Sequence, residues 1–353
     1  MKKLNIEKQP KDERTLQVIE VCSGIGATSL ALKDLEEMLK VKFEVIGISE
    51  IDIKAIEAYT KLHGPTSNLG DITKADVSRT RCFLLSYTPP CVNVSSLGNR
   101  SGFEEGANNA SSIIWELKKL LNTMLEKPSI IFMENVKNMV TSYKSTFLKL
   151  KAYLESEGYN VYYKVLDANE FGVAQHRERV YIIATLKKVD FDFPTNYGEK
   201  VLLKDILEKD VDKKYYLKTL KDYFIKHSME TSYTFRVHNP SHAQVAYTLT
   251  TKSGSRISDN FIFEKDISED KVVRVKSKFL EEKGIDLKDI EDMPIRKLTP
   301  NETMALMGLS EEQRKKLEGM SDSAIYKLMG NSVCLPVLKA IFYNFFKEYL
   351  KED

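Results

Sequence analysis

The chain has 353 residues, 42% hydrophobic and 29% charged, which suits a water-soluble protein with one sizeable core and room for a second, smaller domain. Its four cysteines, Cys22, Cys82, Cys91 and Cys334, form no CxxC pair, which argues against a disulfide framework or structural zinc and for a reducing compartment. The net charge of +2 gives no global sign of a polyanionic partner, so any such partner must meet a local basic surface. No apolar run follows the first charged residues, so no signal peptide is expected, and no stretch reads as a bilayer span, so no membrane partner is expected either.

After a polar start, residues 16–22 read as a buried strand, Ser23-Gly24-Ile25-Gly26-Ala27 as a glycine turn and residues 28–40 as an amphipathic helix. Glycines there let the backbone approach a ligand beside the unpaired N–H groups of a helix start. The pattern is not the full dinucleotide fingerprint, because the third glycine position is Ser29. Residues 43–49 read as a second strand ending in Glu50-Ile51-Asp52, where an acid commonly accepts hydrogen bonds from ribose hydroxyls, although a solvated loop carboxylate explains it equally well. A helix over residues 53–62 is stopped by Gly64-Pro65, and Leu69-Gly70-Asp71-Ile72 offers a further carboxylate at a strand mouth.

Residues 81–86 read as a short buried strand that leaves through Thr88-Pro89-Pro90-Cys91. Two prolines fix a stiff exit, so the thiol sits where open α/β sheets bind ligands, although a lone cysteine is more often a small core residue. Residues 97–109 are rich in Gly, Asn and Ser without periodicity, a long loop of the functional kind. A helix over 111–125 then leads to a strand at 129–133 that runs into Glu134-Asn135-Val136, where apolar flanks favour a protonated carboxyl. A helix (147–158) and a strand (159–166) precede Gln175-His176-Arg177-Glu178-Arg179 and the strand 180–185. The two arginines are expected to face apart, one serving a pocket while the other braces it.

From 187 to about 292 the chain turns polar with short β-like runs at 231–237, 246–251 and 260–263, the signature of a small β-rich domain. Thr299, Pro300 and Glu302 form a capping-box helix start, with the helix expected to end near Gly308. Gly330-Asn331-Ser332-Val333 reads as a helix start with free amides ahead of an apolar-faced helix over 336–350.

In this linear order, Ser23-Gly24-Ile25-Gly26, Pro89-Pro90-Cys91, Glu134-Asn135-Val136, Gln175-His176-Arg177-Glu178-Arg179, Arg296-Lys297-Leu298-Thr299-Pro300 and Gly330-Asn331-Ser332-Val333 resemble the six landmarks of the DNA cytosine-5 methyltransferase family, bacterial or phage type. The resemblance implies an α/β fold: a Rossmann-like, doubly wound AdoMet-dependent methyltransferase domain over 14–186, a smaller β-rich target-recognition domain over 187–292 and a C-terminal segment, 293–353, that returns to the catalytic domain. It implies transfer of a methyl group from S-adenosyl-L-methionine to C5 of a flipped-out cytosine in double-stranded DNA, with Cys91 as nucleophile, Glu134 as acid, and Arg179 and Arg177 holding and steadying the base.

For the cofactor it implies Cys22, Gly24, Ile25 and Gly26 at the methionine end, Glu50 at the ribose, Ile51, Asp71 and Ile72 at the adenine, and Pro90, Asn331, Ser332 and Val333 completing the pocket, with no metal. Thr248-Leu249 looks like the family's pair at the hinge of base-reading loops, and Asn135 and Gln175 are expected to fix loops. Glu20, Cys22, Ala27, Val92 and Ala110 depart from the family's usual residues. A monomer in the bacterial cytoplasm and nucleoid is the expected setting; a cognate restriction endonuclease as partner, a stand-alone regulator and a phage enzyme are alternatives that the sequence leaves open. An RNA cytosine-5 methyltransferase and a non-catalytic DNA-binding relative are the rival readings.

Overall fold

A computed structural model describes residues 15–90, 110–216, 237–238, 244–254, 260–263 and 295–351. In chain order the elements are β1 (Thr15–Val21), α1 (Ala27–Lys33), α2 (Glu36–Leu39), β2 (Lys42–Ser49), α3 (Ile53–His63), β3 (Leu84–Tyr87), α4 (Glu116–Thr123), β4 (Ile130–Val136), α5 (Lys144–Ser156), β5 (Asn160–Asp167) and β6 (Glu178–Thr185). There follow α6 (Leu203–Ile206), β7 (Val237–His238), β8 (Phe261–Phe263), β9 (Ile295–Lys297), α7 (Pro300–Ala305), α8 (Glu311–Lys316), α9 (Asp322–Asn331) and α10 (Leu335–Tyr349). The described chain divides into two compact units, one of residues 1–167, 178–197 and 333–353, the other of residues 168–177 and 198–332. The stretch from residue 293 is thereby split after Ser332.

The first unit is built on a six-stranded sheet of order β2-β1-β3-β4-β6-β5. β2, β1, β3 and β4 are parallel, and β6 runs antiparallel to both β4 and β5. Near-continuous apolar runs mark the central strands because both faces are covered. On one face Ile19, Val21, Leu85, Ile131, Met133, Val180 and Ile182 form one cluster with Leu117, Leu120, Phe147 and Leu150 of α4 and α5. On the other, Phe132 meets Phe342 of α10 at 4.8 Å between ring centroids. This two-sided covering and the reversal of strand order about β1 and β3 make the sheet doubly wound, with ligand sites expected at the carboxyl ends of the parallel strands.

The helix expected over 28–40 is two short helices, α1 and α2, and the one expected over 111–125 opens with a 3-10 turn, Ala110–Trp115, before α4. The apolar C-terminal segment corrects the reading that no stretch could span a bilayer: Asp322–Tyr349 is long and apolar enough by that measure. Some 72% of its apolar window is buried in protein, and the stretch is two helices, with Ser332 as C-cap of α9 and Cys334 as N-cap of α10. α10 buries Val337, Leu338, Ile341, Phe342, Phe345 and Phe346.

The second unit contains a three-stranded sheet, β7-β8-β9, with β7 and β8 parallel and β8 and β9 antiparallel. The β-like run at 246–251 is not a strand; it makes one bridge, from Ala246 to Gln175, and enters a turn at Thr251. The run at 231–237 lies outside the described residues except for Val237, and so does the loop over 97–109. α7 carries the expected capping box in full, with Thr299 Oγ1 accepting from the Glu302 amide and Glu302 accepting from the Thr299 amide. It ends at Ala305, ahead of Gly308, whose φ of +83° prevents its continuation.

Candidate active site

The turn after β1 is held in shape by three carboxylate or ring contacts within the first unit. Glu50, just past β2, accepts from the Gly24 amide at 2.9 Å through one oxygen and from the Ile51 and Asp52 amides through the other. His63 Nε2 lies 3.0 Å from the Ile25 carbonyl oxygen. Glu20, buried at the end of β1, accepts from the Ser29 amide, the Ser29 hydroxyl and the Tyr59 hydroxyl. Burial raises the Glu20 carboxyl above its ordinary value, against the lowering effect of Ser29 and Tyr59.

Gly24 and Gly26 both have positive φ, +55° and +76°, but for different surroundings. A Cβ on Gly26 would lie within 2.5 Å of the Tyr59 ring, so this glycine lets α3 press against the turn. A Cβ on Gly24 meets nothing within 4 Å among the described residues, so its bare backbone faces open space there, as a close-bound ligand requires. Cys22 also has positive φ, +56°, and burial, followed by the charges of Glu50 and Asp71, pushes its thiol up to about 12. It is therefore a neutral thiol in a position of backbone strain.

At the mouth of β2, Ile51 is 69% exposed, an apolar side chain offered to solvent beside the Glu50 carboxylate. Asp71 caps a short turn through Thr73, whose hydroxyl holds its carboxyl below the ordinary value, and Ile72 beside it is buried. Asn68, which the sequence reading did not single out, ties the two loops together: its side-chain oxygen accepts from the Glu50 and Gly70 amides and its nitrogen donates to the Glu50 carbonyl. Tyr59 and His63 were likewise missed. Their spacing of four on α3 was visible, but the turn they brace is far away in sequence.

The register of β4 on β6 brings the acid and one arginine together. Glu134 stands opposite Tyr181 and Val136 opposite Arg179, so Glu134 and Arg179 are diagonal neighbours on one face. Arg179 Nε lies 3.2 Å from Glu134 Oε1, with the side chains 14% and 11% exposed. Asn135, on the opposite face, donates to the Pro89 carbonyl at 3.2 Å, which pins the proline turn to the end of β4. Pro90 is the last described residue of that turn; Cys91 lies outside the described residues.

Arg177 goes elsewhere. The two arginines do face apart, but the expected reason is corrected: strand alternation would put positions two apart on one face, and they diverge because Arg177 precedes β6, which begins at Glu178. Its guanidinium is buried in the second unit, where it donates to the carbonyls of Leu249, Gly330 and Ser332 at 3.0, 3.0 and 2.7 Å. Gln175, fully buried, donates to the Leu306 carbonyl and accepts from the Leu249 amide, while Thr248 Oγ1 donates to the His176 carbonyl.

The segment Gly330-Asn331-Ser332 corrects the expected helix start. Gly330 and Asn331 close α9, and the Ser332 amide donates to the Met329 carbonyl at 3.3 Å rather than standing free. A Cβ on Gly330 would strike the Thr250–Thr251 peptide, so the glycine is required by packing. Val333 is buried and belongs to the first unit.

The sheet, the turn braced beneath an open glycine and the acidic strand mouth define an AdoMet-dependent methyltransferase fold. A profile described as C-5 cytosine-specific DNA methylase matches residues 16–347, and the chain belongs to that family. Type II methyltransferase M2.ScrFI of Lactococcus lactis subsp. cremoris is 32% identical over 295 residues, which cover 79% of this chain and 71% of the relative. M.NlaX of Neisseria lactamica is 30% identical over 92% of this chain and 94% of its own length, and the orphan methyltransferase M.SPBetaI of Bacillus phage SPbeta is 27% identical over 96% and 99%. Among solved structures, Entamoeba histolytica methyltransferase EhMeth superposes with a TM-score of 0.77 at 20% identity, covering 96% of this chain and all of that one. The fold is thus that of methyltransferases acting with S-adenosyl-L-methionine, and the substrate of the family is DNA.

Proposed function

We propose that this chain methylates C5 of a cytosine flipped out of double-stranded DNA, through a covalent adduct between Cys91 and C6. The observation that carries the reading is the Glu134–Arg179 pair on one face of the sheet, next to a proline turn that Asn135 ties to the same strand.

The residues of the first unit fit S-adenosyl-L-methionine. The open backbone of Gly24 suits a close-lying methionine moiety, and Ile25 and Gly26 complete the turn. Glu50 suits ribose hydroxyls. Exposed Ile51 suits an adenine face, and Ile72 and Asp71 suit its other face and its amine. Pro90 and Val333 of the same unit would close the pocket, and Cys22 fills less of it than an aromatic side chain would. Bound there, the cofactor supplies an electrophilic methyl group.

Cytosine C5 is a weak nucleophile. Addition of the Cys91 thiolate to C6 forms a C–S bond and moves the ring's electron pair toward C5. Glu134 hydrogen-bonds N3 and the N4 amine and carries the proton that offsets the developing charge. Arg179 holds O2. Arg177 acts as a positioning residue: it holds the carbonyls behind the Thr248-Leu249 pair in place. After C5 is alkylated, its proton leaves to a base and the C–S bond breaks, which restores the thiolate. A target inside the duplex is out of reach of such a site, so base flipping follows. Residues 187–292 act as the target-recognition part. The enzyme works as a monomer in the bacterial cytoplasm, beside the nucleoid and with a cognate endonuclease where one is present.

DNA carrying 5-fluorocytosine tests the reading directly, because fluorine at C5 cannot leave as a proton and the adduct is trapped. The wild-type chain should form a covalent band with AdoMet present, and Cys91→Ser should form none while still binding DNA. A trapped band with the serine variant, or none with the wild type, would refute the mechanism. Glu134→Ala should lower turnover by ~100 to 10,000-fold, and a rate within about twofold of wild type would remove Glu134 from it.

A further inference from the structure

Two turns of the first unit carry the proposed chemistry, each with supports of its own, and one side chain joins them. The cofactor turn is held by Glu50 at the Gly24 amide and by His63 at the Ile25 carbonyl, while the Cys22 amide ahead of it donates to the Ser49 carbonyl at 2.8 Å. The proline turn is held by Asn135 at the Pro89 carbonyl. Thr88 stands between the two, and the mechanism gives it no part.

β3 pairs with β1 as far as Tyr87 opposite Val21, and the Thr88 amide adds one more bond, to the Val21 carbonyl at 3.2 Å. Backbone can carry the ladder no further on the β3 side, because Pro89 and Pro90 have no N–H to donate. The Thr88 hydroxyl supplies the next donor: Oγ1 donates to the Cys22 carbonyl at 3.2 Å, across 66 positions of sequence. Cys22 has φ of +56°, and a left-handed backbone is unfavourable for a residue with a Cβ, so it persists only where neighbouring groups hold it. The hydroxyl is one of those groups. β3 has other supports, since it pairs with both β1 and β4 and the Tyr87 hydroxyl donates to the Ile113 carbonyl.

We propose that Thr88 is a positioning residue for methyl transfer. Its hydroxyl sets the place of the proline turn, and so of Cys91 that follows it, relative to the turn that binds the methyl donor. The inference rests on the function proposed above. Each turn keeps its own supports without this bond, so losing it leaves AdoMet binding and the attack of Cys91 on cytosine intact and misaligns one against the other. Misplacement of reacting groups by about 1 Å can lower a rate roughly 100-fold.

The test separates attack from transfer in the full chain. Without AdoMet, addition of the thiolate to C6 lets C5 take a proton from water; loss of the original C5 hydrogen to a base and departure of the thiolate then restore cytosine. Duplex DNA tritiated at cytosine C5 therefore reports attack alone, as tritium released into water. Methyl transfer is read in a single turnover, with enzyme in excess over DNA and AdoMet labelled in its methyl group. Thr88→Val, close in shape but without the hydroxyl, should release tritium and bind AdoMet as wild type does, while its transfer rate falls ~10 to 100-fold. Thr88→Ala should show the same pattern, and Thr88→Ser, which keeps the hydroxyl, should restore transfer. Release and transfer that fall together in Thr88→Val would overturn the inference, because the hydroxyl would then serve the nucleophile alone; weakened AdoMet binding would overturn it by making the bond part of the cofactor turn. Undiminished transfer by Thr88→Val, or no recovery in Thr88→Ser, would overturn it as well. Absence of both tritium release and transfer in the wild-type chain would instead refute the function proposed above.

Discussion

The two units solve the same problem, how to hold irregular chain in a fixed shape, with opposite arrangements of charge. In the first unit, buried or half-buried acids, Glu20 and Glu50, accept hydrogen bonds from backbone amides of α1 and of the turn before it, and leave the turn's outer face bare. In the second, buried cations donate to carbonyls: Arg177 to three of them, and Arg296 to the Lys297 carbonyl as well as to Glu302. The first device exposes backbone to a ligand, and the second consumes it internally. Amides gathered by an acid at a strand mouth make a site, whereas carbonyls gathered by a buried arginine make a scaffold.

The sharpest way to break the scaffold is Glu302→Ala. Its carboxylate takes both terminal nitrogens of Arg296 at 2.9 Å and the amides of Thr299 and Glu208, and the ion pair is 1% and 0% exposed. Removal leaves a buried guanidinium without its counter-charge, which costs about 3–5 kcal/mol. Urea unfolding should show that loss, and a change below about 1 kcal/mol would mean that water replaces the carboxylate without difficulty.

The two glycines of the first unit sharpen the comparison at smaller magnitude. Gly26→Ala incurs ~1–2 kcal/mol for the left-handed backbone and ~1–3 kcal/mol for collision with Tyr59 and His63. Gly24→Ala incurs only the backbone part, ~1–2 kcal/mol, because its Cβ meets open space. AdoMet affinity should nevertheless fall in Gly24→Ala, which calorimetric titration would register. Equal loss of stability in the two variants, or unimpaired AdoMet binding in Gly24→Ala, would contradict the assignment of Gly24 to the ligand and Gly26 to α3.

Much of this division was legible in the sequence, and what escaped it escaped for physical reasons. The strands of the parallel sheet announced themselves as apolar runs because both of their faces are buried, and the capping box of α7 is a local pattern whose partners lie three residues apart. The Glu134–Arg179 pair was legible only as two motifs; its closeness depends on the register of β6 on β4, which side-chain type does not encode. Asn68, Tyr59 and His63 were illegible because each acts on backbone distant in sequence. The amides of residues 331 and 332 were misread because Gly-Asn-Ser suits the end of one helix as well as the start of the next. Here it ends α9, with Gly330 required by the peptide packed on it.

Glu20 allows the comparison to be tested by pH, with the smallest effect. Burial raises its carboxyl, so between the ordinary value of 4.5 and the higher folded value the folded chain holds a proton that the unfolded chain releases. More protons bound in the folded state means that stability falls as pH rises through that interval. Glu20→Gln cannot ionise, and its amide still offers an oxygen to the Ser29 amide. The stability of wild type relative to Glu20→Gln should therefore be greatest below pH 4.5 and decline toward neutrality, as read by unfolding midpoints at a series of pH values. The opposite slope, with wild type gaining on the glutamine variant as pH rises, would mean that Ser29 and Tyr59 outweigh burial and hold the group as a carboxylate. In that case the first unit, like the second, would rest on a buried charge.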